Sequence, residues 1–126
     1  MEQRGYEVVV VECSKELSAR ERIKIKDTTN MVKLDDACEG GEVIITPDFY
    51  AMLQVHNEKS DNKDYTVCVV VDKNGTEYVT GSNSFIESFV DIWNEMQGEE
   101  EEYSVTAYKR DSNNFKGKQF ITCSIN

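Results

Sequence analysis

The residues with the clearest chemistry are cations and aromatic rings near the end of the chain. Between Tyr103 and Asn126 there are four cations and a single Asp, a local charge of +3 in a chain whose formal charge is −10. Cations neutralise backbone phosphates, and flat rings stack on bases with about 1–3 kcal/mol each. This combination is typical of single-strand nucleic-acid binding, although a two-stranded hairpin with a solvated lysine tip explains the same residues.

The candidate contacts divide into rings that stack and cations that neutralise phosphate. The rings are Tyr65, Tyr78, Tyr108, Phe115 and Phe120, and the cations are Lys59, Lys63, Lys109, Arg110, Lys116 and Lys118. Most of them belong to the last hairpin. Of the others, Lys59 and Lys63 lie in the polar loop 57–64, Tyr65 follows it, and Tyr78 lies on the predicted strand 76–80. A further basic line, Arg22, Lys24 and Lys26, alternates with isoleucines and is predicted to be a strand face, whose role the sequence leaves open.

Patterns for catalysis and metal binding are missing from the sequence. The single histidine, His56, has no nucleophile context such as G-x-S-x-G, and no glycine-rich phosphate loop occurs. The four cysteines are 25, 30 and 55 residues apart, so none forms the close pair of a structural zinc site. We therefore expect a protein that is not an enzyme, has no metal or cofactor, and keeps its cysteines as ordinary thiols.

Length and composition favour one globular domain. The chain has 126 residues, of which 39% are hydrophobic, and compact domains typically contain roughly 100–150 residues. No apolar run approaches the ~18–20 residues of a membrane span, and the first residues lack the pattern of a secretion signal. We expect a single cytoplasmic domain without a membrane segment.

Short β-rich segments dominate the chain. Strands are predicted at residues 6–12, 22–26, 42–46, 49–56, 65–71, 76–80, 103–110 and 118–125. Asn74-Gly75 predicts a tight hairpin turn. One helix is predicted from a capping box of Ser84 and Glu87 to Gly98, and its aromatic stripe is expected to be buried.

The order of these elements suggests a fold. With residues 42–56 taken as one bent strand, the order from Glu42 is three strands, a helix and two strands. This order is that of the OB-fold, a five-stranded Greek-key barrel. We therefore expect a mainly β domain spanning 1–126, with an OB-like core at 42–126, its helix between the third and fourth core strands, and an N-terminal β extension at 1–41.

Alternation assigns faces to the last two strands. The predicted inward side chains are Val105, Ala107, Ile121, Cys123 and Ile125, and the predicted outward ones are Tyr108, Arg110, Lys118 and Phe120.

Two hairpin motifs flank the predicted helix. Residues 72–82 read D-x-x-G-x-x-Y-x-x-x-S, and residues 112–121 read S-x-x-x-x-G-x-x-F-I. Across residues 31–126 the chain resembles small acidic single-stranded DNA-binding proteins of phages of low-GC Gram-positive bacteria. The resemblance implies an OB-fold protein that coats displaced strands without sequence preference during phage DNA replication or recombination, in the host cytoplasm.

The resemblance also implies partners and contact positions. Single-stranded DNA and replication proteins are the implied partners, and Tyr78, Lys118 and Phe120 fall on matching motif positions. Many single-strand binders recruit enzymes through an acidic tail, whereas here the acidic run 99–102 is internal. Recruitment by a tail is therefore in doubt.

The acidic composition supports a different function class. An acidic phage inhibitor that mimics nucleic acid would bind the basic groove of a host protein. The acids exceed the cations by five in residues 1–64 and again by five in 65–126, and this even spread argues against an ordered acidic face. A plain scaffold or assembly protein is a third possibility. The oligomeric state, the site length and the choice between DNA and RNA stay open.

Overall fold

The computed structural model describes residues 6–59, 64–111 and 119–126. Strands predominate in this part of the chain, and the domain is mainly β. The elements are β1 (Tyr6–Cys13), α1 (Ala19–Lys26), β2 (Val32–Lys33), α2 (Leu34–Ala37), a 3-10 turn (Cys38–Gly40), β3 (Val43–Ile45), β4 (Pro47–Asn57), β5 (Asp64–Asp72), β6 (Glu77–Thr80), α3 (Asn83–Glu95), β7 (Val105–Asp111) and β8 (Gln119–Ile125).

The described strands form two sheets. Sheet A has the order β1-β4-β5-β6-β2, and sheet B has the order β3-β7-β8. All neighbours are antiparallel except β2 and β6. The predicted bent strand is divided between the sheets at Thr46, because β3 pairs with β7 whereas β4 pairs with β5. Within the described residues the strands therefore make two sheets and not one closed barrel.

A buried carboxylate holds the sheet crossover, which is the point at Thr46 where the chain passes from β3 of sheet B to β4 of sheet A. Asp72 ends β5 and is 8% exposed. Its two oxygens accept hydrogen bonds from the backbone N–H groups of Thr46 at 2.9 Å and Asn74 at 2.9 Å. The same residue thus ties the sheet crossover to the β5–β6 turn. The predicted hairpin is confirmed, and Gly75 supplies its positive φ of 95°.

The main core lies between the two sheets and α3. Phe85 and Phe89 are fully buried there, and Tyr50 packs edge-on to Phe89 with 5.6 Å between ring centroids. The predicted aromatic stripe is therefore core, as expected. The helix begins earlier than predicted, however. Ser82, not Ser84, caps it by accepting from the Phe85 N–H, and the Ser82 hydroxyl also donates to the Ile121 carbonyl of β8 at 2.6 Å.

A second core cluster covers the opposite face of sheet A. Leu17, Ile25 and Met31 pack there on side chains of β4 and β5. The strand predicted at residues 22–26 is wrong, because this segment forms α1. The reason is a capping box at Ser18 and Glu21, in which each side chain bonds the backbone N–H of the other.

The thiols are free, and those of Cys38, Cys68 and Cys123 are buried. Burial raises the pKa of Cys68 and of Cys123 to about 12. Such thiols stay protonated and unreactive at neutral pH. In the part of the chain that the structure describes, no helix has both the length and the apolar character needed to cross a membrane.

Candidate nucleic-acid interface

Three of the predicted contacts meet on the outward face of sheet B. Arg110 of β7 lies directly opposite Phe120 of β8, and Tyr108 lies opposite Thr122. Directly opposed residues of an antiparallel pair have their side chains on the same face. The strands thus place a cation beside two rings, on the face that points away from the buried Ala107 and Cys123.

The accessibility of this face suits contact with a flexible ligand. Arg110 is exposed and has no ion-pair partner among the described residues, while Tyr108 and Phe120 are half-buried. The Tyr108 hydroxyl lies 2.9 Å from that of Ser124, which orients the ring. On β3, Ile44 extends the face and is 65% exposed. We call the surface formed by Tyr108, Arg110 and Phe120 the sheet B face.

One border of the sheet B face is set by α3. Thr122 is buried, and its hydroxyl lies 3.3 Å from that of Ser88 on α3. The predicted contacts Phe115, Lys116 and Lys118 belong to the segment between β7 and β8 and lie outside the described residues, as does Lys63.

Lys109 belongs to the opposite face of β7. It lies opposite Ile121, and its ammonium group pairs with the carboxylate of Glu39. The side chain is 21% exposed. Lys109 therefore joins sheet B to the 3-10 turn, and the structure does not bring it to the side of Arg110. Ile125, predicted inward, is 45% exposed because β8 ends there, at the rim of the core.

The remaining predicted rings lie on sheet A, on opposite faces. Tyr65 pairs with Val55 on the face covered by α1. Tyr78 pairs with Val70 on the other face and packs against the main core, and burial, followed by the charge of Asp72, raises the pKa of its phenol. Lys59 is exposed in the turn after β4. The structure does not bring these residues together with the sheet B face.

Two charged surfaces differ from the sequence expectation. The basic line Arg22, Lys24 and Lys26, predicted as a strand face, is part of α1, and an acidic row on α3 was missed. The cations of α1 are all exposed, and they number four with Arg20. The exposed residues Glu87, Asp91 and Glu95 lie one above another on α3, and residues 83–102 contain seven acids and no cation. The Ser18–Glu21 capping box could have placed the basic line on a helix. The four-residue spacing could have revealed the acidic row, which counting charges by halves concealed.

His56 is held between two carboxylates. Its Nδ1 lies 2.7 Å from Asp64 and its Nε2 lies 2.6 Å from Glu58. These hydrogen bonds, the one to Asp64 first, raise the pKa of the imidazole. In residues 6–59, 64–111 and 119–126, no three His, Cys, Asp or Glu side chains are grouped closely enough to hold a metal ion. We interpret this cluster as a pH-sensitive contact between β4 and β5.

Comparison of the chain with protein-family models, with curated proteins and with solved structures finds no match.

Proposed function

We propose that the protein binds single-stranded DNA without sequence preference and coats strands displaced during phage DNA replication or recombination. The observation that carries this proposal is the register of β7 and β8, which puts Tyr108, Arg110 and Phe120 on one outward face. Single-strand binders need this pairing of cations with stacking rings. Such a protein works in the bacterial cytoplasm, with replication proteins as further partners.

We also propose that the fold is a variant of the OB-fold. The pairings β4–β5–β6 and β3–β7–β8, with α3 between β6 and β7, support this proposal. In an OB-fold the first strand bends to serve both halves of the barrel, as β3 and β4 do across Thr46. In a closed barrel of this kind the third and last strands, which here would be β6 and β8, pair with each other. In this chain β6 pairs with β2 instead, and α3 packs along β8.

The N-terminal segment explains why the proposed site is on sheet B. OB-folds bind oligonucleotides on the face of their second and third strands. In this chain that face corresponds to β5 and β6, where Ile25 of α1 and Met31 pack on Val69 and Val79. Because this packing buries the usual surface, we assign DNA binding to the sheet B face.

The test is titration of a fluorescent thirty-nucleotide oligo(dT) at low and moderate salt, with the duplex as a control. Tight binding to the single strand, with a log–log salt slope of about −0.7 per phosphate contacted, is expected. Phe120→Ala should weaken binding about 5- to 140-fold, the range of one lost stacking contact of about 1–3 kcal/mol. Tyr65→Ala, which removes a half-buried ring from sheet A, is the matched control and should change it little. Absence of binding at low salt would refute the proposal.

A second candidate function rests on the acidic side of α3. Glu87, Asp91 and Glu95 are separated by one helical turn each, about 6 Å along the axis, which approaches the rise of two nucleotides at about 3.4 Å each. This ordered row supports an inhibitor that mimics nucleic acid and occupies a basic groove of a host protein. Capture of a nuclease or polymerase by the protein, lost in the Glu87→Gln, Asp91→Asn, Glu95→Gln variant, would favour this function over DNA coating.

A further inference from the structure

A groove of about 620 Å³ runs between β1 and α1, on the side of sheet A away from the sheet B face. Residues Glu7 to Val10 line one wall, and Arg22, Ile23 and Lys26 line the other. The groove thus has a strand for one wall and a basic helix for the other. It uses none of the residues of the proposed DNA site.

β1 offers an open sheet edge to this groove. It pairs with β4 on one side and is the terminal strand of sheet A, so its outer N–H and C=O groups have no partner strand within the described residues. Terminal strands are usually protected by charged side chains such as lysine, by proline, by a β-bulge or by short length. β1 has eight residues and neither lysine nor proline, and its register shift between Val10 and Glu12 leaves residues 6–10 as the regular part of the edge. Val9 and Val11 are 46% and 59% exposed, so the edge is also apolar.

The helix wall supplies one apolar side chain between two cations. Ile23 is 68% exposed, although isoleucine is usually buried. Arg22 is exposed and donates a hydrogen bond to the Leu17 carbonyl at 2.7 Å. Lys26 is exposed and has no ion pair among the described residues. Glu7 and Asp27 also line the groove, so its positive charge is confined to α1, which has a net charge of +3. An acidic side chain is therefore suited to the helix wall and not to the strand wall.

We propose that the groove binds an extended polypeptide segment in which acidic and apolar residues alternate, and that the segment joins sheet A as a strand beside β1. Main-chain hydrogen bonds to β1 supply the affinity, as in other cases of strand addition. Successive side chains of a strand face opposite ways. The acidic side chains of the segment therefore face α1 and meet Arg22 and Lys26, and its apolar side chains lie beside Val9, on the face of β1 that points away from α1.

Two other occupants fit the groove less well. Among the described residues that line it there is no aromatic side chain on which bases could stack. A second copy of β1, paired antiparallel over its full length, would place Glu7 opposite Glu12 twice, and like charges directly opposite each other are destabilising. An acidic, alternating peptide avoids both difficulties.

The test uses a fluorescein-labelled ten-residue peptide that alternates Glu and Val, titrated by anisotropy into the full chain. A Lys–Val peptide is the charge control. We expect Lys26→Glu to weaken binding about three- to tenfold, because an attraction becomes a repulsion. Lys24→Glu is the matched control, since it makes the same charge change in the same helical turn outside the groove. Phe120→Ala should leave peptide binding unchanged.

Hydrogen exchange locates the bound peptide. The β1 amides that point away from β4 should exchange quickly in the free protein and become protected in the complex. The proposal is overturned if the Glu–Val peptide does not bind, if both peptides bind equally, or if protection appears elsewhere. It is equally overturned if the free protein sediments as a dimer with β1 already protected, or if oligo(dT) displaces the peptide.

Discussion

Replacing Asp72 tests whether one carboxylate holds the two sheets together. The Asp72→Ala substitution removes the acceptors of the Thr46 and Asn74 N–H groups at the sheet crossover and the turn. Hydrogen bonds to a charged group contribute about 1.5–3 kcal/mol each. Water can replace the bond at exposed Asn74 but has less access to half-buried Thr46. We therefore expect a loss of about 2–4 kcal/mol in the free energy of unfolding.

The assay is urea unfolding followed by the fluorescence of the single tryptophan, Trp93. With a slope of about 1–3 kcal/mol per molar urea, the midpoint should fall by about 1–2 M with an unchanged slope. Asp48→Ala is the control, because that exposed carboxylate makes no side-chain bond to a described residue. The urea midpoint of Asp72→Asn should lie between those of Asp72→Ala and the wild type, since the amide keeps one acceptor oxygen. An Asp72→Ala midpoint equal to that of Asp48→Ala would refute this account of the crossover.

Further predictions concern His56 and the start of α3. Hydrogen bonds to Asp64 and Glu58 raise the pKa of His56 in the folded state. The contribution of His56 to the free energy of unfolding is therefore complete below the unfolded pKa of about 6.5 and is lost as pH rises through the folded pKa. Unfolding midpoints at pH 5.5 and 8.5 should therefore differ more in wild type than in His56→Gln, and an equal difference would contradict the assignment. Ser82→Ala should cost about 1–2 kcal/mol by loss of the cap, measured by thermal unfolding. Ser84→Ala should cost much less. A larger loss for Ser84→Ala than for Ser82→Ala would show that Ser84 is the cap, as the sequence predicts.

Local signals in the sequence predict local structure well here. The Asn74-Gly75 turn joins strands that are adjacent in the chain, so the hairpin of β5 and β6 follows from it. The stripe of Phe85 and Phe89 has the helical period and is buried as predicted. The alternation of β7 and β8 also predicts the outward face of Tyr108, Arg110 and Phe120, whereas Lys118 lies outside the described residues. Ile125 lies on the predicted inward face, opposite Val105, but is exposed at the rim.

The errors arise where two local patterns compete or where distant contacts decide. Ile23 and Ile25 alternate with cations as in a strand, but the Ser18–Glu21 capping box starts a helix that buries Ile25 and leaves Ile23 exposed. The division at Thr46 depends on Asp72, 26 residues away, and no local pattern indicates it. The sequence likewise gives no sign that α1 would cover the face of β5 and β6.

Charge segregation decides how the net charge of −10 should be interpreted. Residues 19–26 have a charge of +3, whereas residues 83–102 have a charge of −7. Exposed charges are largely screened beyond about 8–10 Å at physiological ionic strength. A ligand at either surface therefore experiences mainly the local charge, and the acidic total does not exclude an anionic ligand at Arg110 or at α1. Because both sites depend on local charge, binding at both places should weaken with salt. Strand addition at β1 also depends on backbone hydrogen bonds, so it should persist at higher salt than DNA binding.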